Sequence, residues 1–549
     1  MTTIDPQVAA AAGTASAAEE RAHERVDTVA TTLADWLTST DHKKIGRLFI
    51  GCSLTFGLAI TGIAALLGIE RIDATGNVVT TGSLPQLFSL YRLVLTFGVV
   101  APLLLGLAVA IVPLQLGARS IAFPRLVASG FWTWLIGTGL VIGSIAANGG
   151  PAGGDPKMVD LFLASHALVV FGLLAAAVSV ATSVLTTRAP GMNMRRVPLF
   201  SWSALVSALG LLLVLPVAFG TVIYLYVSYR YNKVAFGGNK GILDYLGFSL
   251  TQPTTFLYVL PAIGFAAEMI PVIARRRLPM RGAVLVGLGL VGVGALGGVT
   301  QVIPTLDWSG TGINLDQFGT KLGDLLNYAL FMALPILGVL MVLAVVPLAF
   351  KGGQPKITSP FVFGFFGLCM ILVGMLGALI NGVTDLGLRA TVFEEGVYTY
   401  VCYGAVLSGM GAIAYWGPKL WGRRLPEKKL ILLALAGTAA VVLSSLSYYV
   451  AGFADQPAAT VIFDYSGPKN LWNILVTVGH GLMLLTVLGF AGVAVGGFRR
   501  GALAGDDPWD AQTLEWATSS PPPDNNFSDV HGVISAEPLL DLKSTGENS

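Results

Sequence analysis

Twelve apolar runs, separated by short polar segments, account for most of this chain. They fall at about residues 46–69, 87–115, 127–148, 158–186, 199–228, 251–274, 281–303, 324–350, 359–382, 395–417, 429–453 and 470–497. Each is long enough to cross about 30 Å of hydrocarbon at about 1.5 Å per helical residue. The runs lack the short alternating pattern of a barrel strand, which leaves helices as the form that satisfies every backbone polar group in lipid. The pattern predicts an all-α, polytopic membrane protein with 12 transmembrane helices between residues 41 and 500. The flanks read differently. Residues 1–40 are rich in alanine, threonine and charge, contain no cleavable apolar leader, and are expected to form a cytoplasmic tail. Residues 501–549 are polar, carry Pro521, Pro522 and Pro523, and are expected to form a soluble cytoplasmic extension.

Composition agrees with this pattern. The 549 residues have a mean hydropathy of +0.72, and charged residues make up 12% of them, about half the usual globular share. One soluble core of this length could not bury so much apolar side chain, so membrane lipid must solvate part of it. The loops on the N-terminal side collect about 21 lysines and arginines against about 8 on the other side. That bias predicts a cytoplasmic N-terminus in a bacterial-type inner membrane, and an even number of spans returns the C-terminus to the same side. A net charge of +2 points to no nucleic-acid partner. Cys52, Cys369 and Cys402 lie in apolar runs without a CxxC and read as small buried hydrophobes. The seventh run is rich in glycine, including Gly287, Gly294 and Gly297, which predicts close helix packing.

Few ionisable groups lie inside the runs, and each is a candidate for chemistry. Arg92 sits in the second run, and Glu394 and Glu395 open the tenth on the same side of the membrane. An ion pair between Arg92 and one of these carboxylates would bridge the two helices; the alternative is that Arg92 snorkels to the interface. Glu268 precedes Arg275, Arg276 and Arg277, and reads as their interfacial partner, with a proton relay as the alternative. His166 and His480 are isolated in the fourth and twelfth runs and read as hydrogen-bonded core histidines.

Several strings resemble subunit I of the haem-copper (cytochrome c) oxidases. Trp36-Leu37-Thr38-Ser39-Thr40-Asp41-His42-Lys43 is similar to the start of that family's first helix. Pro113-Leu114-Gln115-Leu116-Gly117-Ala118-Arg119 resembles its second inner loop, and Arg188-Ala189-Pro190-Gly191-Met192-Asn193 the loop before its fifth helix. Tyr415-Trp416-Gly417-Pro418-Lys419 looks like the end of its tenth helix. Pro508-Trp509, Thr513-Leu514-Glu515-Trp516 and Ser520-Pro521-Pro522-Pro523 resemble its C-terminal segment. The likeness runs from about Trp36 to Phe527.

The resemblance implies a low-spin haem held by histidines of helices two and ten, a high-spin haem on another helix-ten histidine, and a copper on three histidines of helices six and seven. Imidazole suits both metals. This chain contains five histidines in all, and two of them, His166 and His480, lie within runs. The haem-ligand positions of the family fall on Tyr91, Gly396 and Tyr398, with Tyr400 an alternative for the helix-ten role. The copper-ligand positions fall on Gln252, Thr300 and Gln301. The proton-delivering glutamate and redox-active tyrosine of helix six correspond to Thr254 and Phe256. Tyr91, Tyr398, Phe97 and Phe256 are expected to fill the space that haem would take, because dry voids forfeit dispersion contacts.

These residues lead to the expectation of a subunit I-like membrane protein without catalytic residues, haem or copper. It would be a non-catalytic subunit or accessory of a respiratory complex, in contact with membrane lipid and other subunits. One alternative is a catalytic terminal oxidase, which would need haem and copper. Another is a channel, transporter or sensor using cavities lined by Gln252, Thr254, Thr300 and Gln301.

Overall fold

A computed structural model describes residues 31, 34–72, 78–231, 242, 245–307, 315–463, 468–528 and 532–545; most of the N-terminal tail, with His23, and His531 lie outside them. Among the described residues, twelve helices are long and apolar enough to cross a membrane. They are α1 His42–Ile72, α2 Leu84–Gln115, α3 Pro124–Ala146, α4 Pro156–Thr186, α5 Leu199–Arg230, α6 Gly247–Ala274, α7 Arg281–Thr300, α8 Gly319–Lys351, α9 Ser359–Asn381, α10 Val392–Trp421, α11 Glu427–Phe453 and α12 Asn470–Arg500. They match the twelve apolar runs, and most extend a few residues beyond them as the helix continues through the polar interface.

The arrangement follows from how much of each helix is covered. The most apolar windows of α2, α6 and α10 are 100% buried, whereas those of the other nine bury between 39% and 67%. The three therefore form the centre, and the nine half-covered helices ring them, with α12 packing on α1 to close the ring. Small residues set the closest approaches, since lipid gives no hydrophobic drive for association. A Cβ on Gly287 of α7 would lie 2.6 Å from the Gly338 carbonyl oxygen of α8, so the two backbones touch there. Central α2 is not uniform: Val94–Val100 is wound as a π-helix. The wider turn changes the regular carbonyl pairing, and the Phe97 carbonyl accepts from the Trp134 indole of α3 at 2.7 Å.

The C-terminal extension does not project freely from the bundle. Residues 511–516 are buried under the face that carries the start of α1 and the end of α12, followed by a short helix, α13 Pro538–Thr545. The strings that carry the family resemblance converge here. Gln115 and Trp416 both donate to Glu515 Oε1 at 3.1 Å, and the Trp516 indole donates to the Tyr415 hydroxyl at 3.0 Å. Lys419 donates to the Thr518 carbonyl at 2.6 Å, and Lys43 to Asn526 Oδ1 at 3.0 Å. These buried polar groups thus bond partners from distant parts of the chain, which fixes the extension in one position.

Glu268 also serves this face. Its carboxylate accepts from the Phe200 backbone N–H at 3.1 Å, in the first turn of α5. It therefore caps a helix N-terminus, where the free N–H groups and the dipole favour negative charge. The expected pairing with Arg275, Arg276 or Arg277 does not form.

Candidate functional site

The groups of interest cluster at the end of the bundle opposite the chain ends. There α10 begins at Thr391, whose hydroxyl accepts from the Phe393 N–H at 3.2 Å. This cap places Glu394 and Glu395 in the first turn of α10. Glu395 receives both Arg71 Nη1 and Arg71 Nη2 at 2.7 Å, in a parallel two-bond fork, and its Oε1 also accepts from the Ala459 N–H at 3.0 Å. Arg71, in the last turn of α1, is only 2% exposed. It further donates to the Tyr448 hydroxyl at 3.2 Å and lies over the Phe88 ring at 4.8 Å.

This geometry corrects the expected ion pair. Arg92 has no carboxylate oxygen within 4.0 Å among the described residues, because Arg71 holds Glu395, and Glu394 is reached by Asn381 Nδ2 at 3.5 Å. The Arg92 guanidinium instead rests over the Tyr398 ring, 5.6 Å from its centre. Arg71 is the bridging residue. It reaches Glu395 because the last turn of α1 comes up against the first turn of α10 beside the loop at Ala459.

Polar contacts continue inward from Arg71. Tyr448 of α11 contacts His480 Nε2 at 3.2 Å, and Tyr403 of α10 contacts His480 Nδ1 at 2.9 Å. With the proton assigned to Nδ1, the bonds run in one direction: Arg71 donates to Tyr448, Tyr448 to His480, and His480 to Tyr403. Both nitrogens of the imidazole are therefore engaged by tyrosines. The ring of Tyr91 stands edge-on to His480 and to Tyr398, at 6.1 Å from each. Sequence reasoning singled out neither Tyr403 nor Tyr448. The available signal was the presence of tyrosine and histidine deep within three separate apolar runs.

The former haem-ligand positions have different neighbours. Tyr91 and the Thr399 hydroxyl are 3.3 Å apart, and Tyr398 donates to the Arg92 carbonyl at 2.7 Å while lying 2.7 Å from Thr96 Oγ1. Gly396 faces α11, where an added Cβ would meet the Tyr449 ring at 2.7 Å and the Ser445 carbonyl at 3.0 Å. Tyr400 is also buried and packs against Tyr449, with ring centres 5.2 Å apart. Phe97 packs edge-on against His166 of α4, with ring centres 5.2 Å apart, and His166 Nε2 finds no hydrogen-bond partner among the described residues. Phe256 is fully buried.

The copper-ligand positions do not converge. Thr300 and Gln301 are exposed at the end of α7, where Thr300 bonds its own helix and Gln301 Nε2 donates to Thr221 Oγ1 of α5 at 3.2 Å. Gln252 is half-buried at the start of α6. Between them the helices pack closely: a Cβ on Gly294 would lie 2.9 Å from the Pro253 carbonyl oxygen, and one on Gly297 2.6 Å from Pro253 Cγ. The expectation that Gln252, Thr254, Thr300 and Gln301 line one polar cavity is therefore not met.

The residues present do not fit haem or copper. Tyr91 and Tyr398, at positions the resemblance assigns to iron ligands, have their hydroxyls engaged by protein. His480 has no free nitrogen to offer, and helix backbone fills the space between the copper positions. Among the described residues no group of three or more His, Cys, Asp or Glu side chains could hold a metal ion. What remains beside Tyr398 are two small chambers that share Arg92, Leu250 and Tyr398, of about 150 Å³ and about 100 Å³.

Comparison with known proteins relates this architecture to a family. A family model described as Cytochrome C and Quinol oxidase polypeptide I matches residues 44–483. The cytochrome c oxidase subunit 1 of Bacillus subtilis is 28% identical over 539 residues, covering 94% of this chain and 84% of the relative. The cytochrome c oxidase subunit 1 of Alkalihalophilus pseudofirmus is 26% identical over 543 residues, with 94% and 84% covered.

Proposed function

Because the chain belongs to the cytochrome c and quinol oxidase polypeptide I family, we propose that it is a haem- and copper-free, non-catalytic subunit or accessory of a respiratory-type membrane complex. It sits in a bacterial inner membrane with both termini in the cytoplasm, the side favoured by its loop charges. Its role is assembly, lipid or quinone contact, or docking of other subunits. The observation that carries this reading is the imidazole inventory. A six-histidine chemistry has five histidines to draw on in the whole chain, and His480 is committed through both nitrogens to Tyr403 and Tyr448. The positions that carry the resemblance support a scaffold role: Gln115, Tyr415, Trp416 and Lys419 all bond the C-terminal extension.

A reduced-minus-oxidised visible spectrum of the purified protein, with elemental analysis for iron and copper, tests the proposal. The expected result is no haem band and no stoichiometric metal. Bound haem together with oxygen consumption would overturn it. The competing reading, a catalytic oxidase subunit I, has support in the names of the relatives and in the family itself. It requires the haem irons to be held by groups other than histidine pairs, and the same measurement decides between the two.

A further inference from the structure

We propose that the larger chamber beside Arg92 binds a carboxylate-bearing amphiphile, with its head on the guanidinium and its tail along the apolar walls. The inference rests on the reading that tyrosines, not haem, occupy the slot between α2 and α10.

Charge balance is the first support. Two charged side chains line this chamber, Arg92 and Glu395. Glu395 is already neutralised, since Arg71 occupies both of its oxygens at 2.7 Å. Arg92 is unpaired: its guanidinium forms no ion pair within 4.0 Å and no side-chain hydrogen bond among the described residues, lies over the Tyr398 ring at 5.6 Å, and feels Glu395 only at longer range. A cation–π contact is worth about 0.5–1 kcal/mol at an exposed site, less than the roughly 1.5–3 kcal/mol of a hydrogen bond to a charged group. The site is short of one negative charge.

The shape of the deficit specifies the head group. A guanidinium presents a planar fork of N–H donors that matches the two oxygens of a carboxylate. One uncompensated positive charge is balanced by one negative charge, which favours a monoanion over a phosphate dianion. The smaller chamber is lined by Arg92, Arg389 and Glu394, two cations against one carboxylate, so the two chambers together carry the same excess of one positive charge.

The walls specify the rest of the ligand. Phe88, Leu93, Leu250, Ala458 and the Tyr398 ring give the chamber a mostly apolar lining. Its volume of about 150 Å³ corresponds to roughly ten water-sized positions. That suits a carboxylate followed by a short alkyl chain. Water alone would leave the apolar lining without dispersion partners.

The test uses the purified full-length protein in a non-ionic detergent, with octanoate, acetate and inorganic phosphate as probes and thermal unfolding or calorimetry as the readout. Octanoate is expected to bind saturably and more tightly than acetate or phosphate. Arg92→Gln should weaken octanoate binding at least about tenfold, the loss of a charge-assisted hydrogen bond. Ala458→Trp, which fills the chamber and leaves the guanidinium in place, should do the same. No saturable octanoate binding, equal binding by both variants and the parent, or tighter binding of phosphate would each overturn the proposal. A visible spectrum of the same sample tests the haem-free reading separately: its failure shows as haem bands, whereas failure of the carboxylate site shows as silent octanoate titrations on a colourless protein.

Discussion

Arg71 and Glu395, 324 residues apart in the chain, meet in two parallel contacts of 2.7 Å that tie the end of α1 to the start of α10. Nearly all of this pair is removed from solvent, and the chain of contacts through Tyr448 to His480 starts from it. Removing one member of a buried pair leaves the other charged and unsolvated. Arg71→Ala and Glu395→Ala should each destabilise the fold by about 3–5 kcal/mol. The double variant should cost clearly less than the sum of the two. Unfolding midpoints in mixed detergent micelles measure all three, and simple additivity would show that the two side chains do not act as a pair.

His480 joins Tyr403 and Tyr448 through its two nitrogens. His480→Phe keeps an aromatic ring but removes the imidazole partner of both hydroxyls in a buried environment, leaving Tyr448 its bond from Arg71. A loss of about 1–3 kcal/mol per unsatisfied group is expected, with no change in the visible spectrum or metal content of the protein. An unfolding midpoint equal to that of the parent would contradict the hydrogen-bonded role.

Glu515 lies outside the membrane spans, fully buried, with Oε1 bonded to Gln115 and Trp416 and Oε2 unpartnered among the described residues. Burial pushes its carboxyl above the usual range, while the two hydrogen bonds pull it down. A carboxyl whose pKa is raised on docking takes up a proton as the extension docks. Docking is then strongest at low pH and weakens as pH rises from the ordinary carboxylate range through the raised value. Limited proteolysis of the C-terminal extension at about pH 5 and about pH 8 should show faster cleavage at the higher value. Glu515→Gln should flatten that difference, and a parent protein cleaved equally at both values would argue against this role.

Gly287 and Gly289 lie two residues apart on α7 but face different surroundings. A Cβ on Gly287 would crowd the Gly338 carbonyl, whereas one on Gly289 meets nothing within 4 Å. Gly287→Val should cost about 1–3 kcal/mol through overpacking. Gly289→Ala should be neutral or slightly stabilising, by up to about 1 kcal/mol, since glycine weakens a helix interior. Equal effects on the unfolding midpoint would mean that α7 and α8 do not pack as described.

The bundle itself was legible in the sequence because span length and apolar content are properties of a single segment. The twelve runs gave the twelve helices, and the glycines of the seventh run gave its close approach to α8. The Arg92 pairing was not legible. Arg92 and Arg71 both lie near the same end of the bundle, and depth alone does not choose between them. Facing direction turns by about 100° per residue around a helix, so the partner depends on rotations that no single span encodes. The same uncertainty explains Thr300 and Gln301, which match the copper positions in order along the chain yet point outward. The extension from Gly501 onward reads as polar and soluble by composition, but Leu514, Glu515 and Trp516 are buried because the ends of α2 and α10 supply hydrogen bonds and apolar contact that composition cannot display.

By itself, the sequence determined the number of membrane spans and the supply of imidazole, since both are counts along a line. Tertiary structure alone decided that Arg71 rather than Arg92 holds Glu395, that His480 is shared by two tyrosines, and that Arg92 faces a chamber without an ion-pair partner among the described residues. Those outcomes depend on how helices rotate and pack against one another, and charge and hydrogen-bond complementarity is settled only once the faces meet.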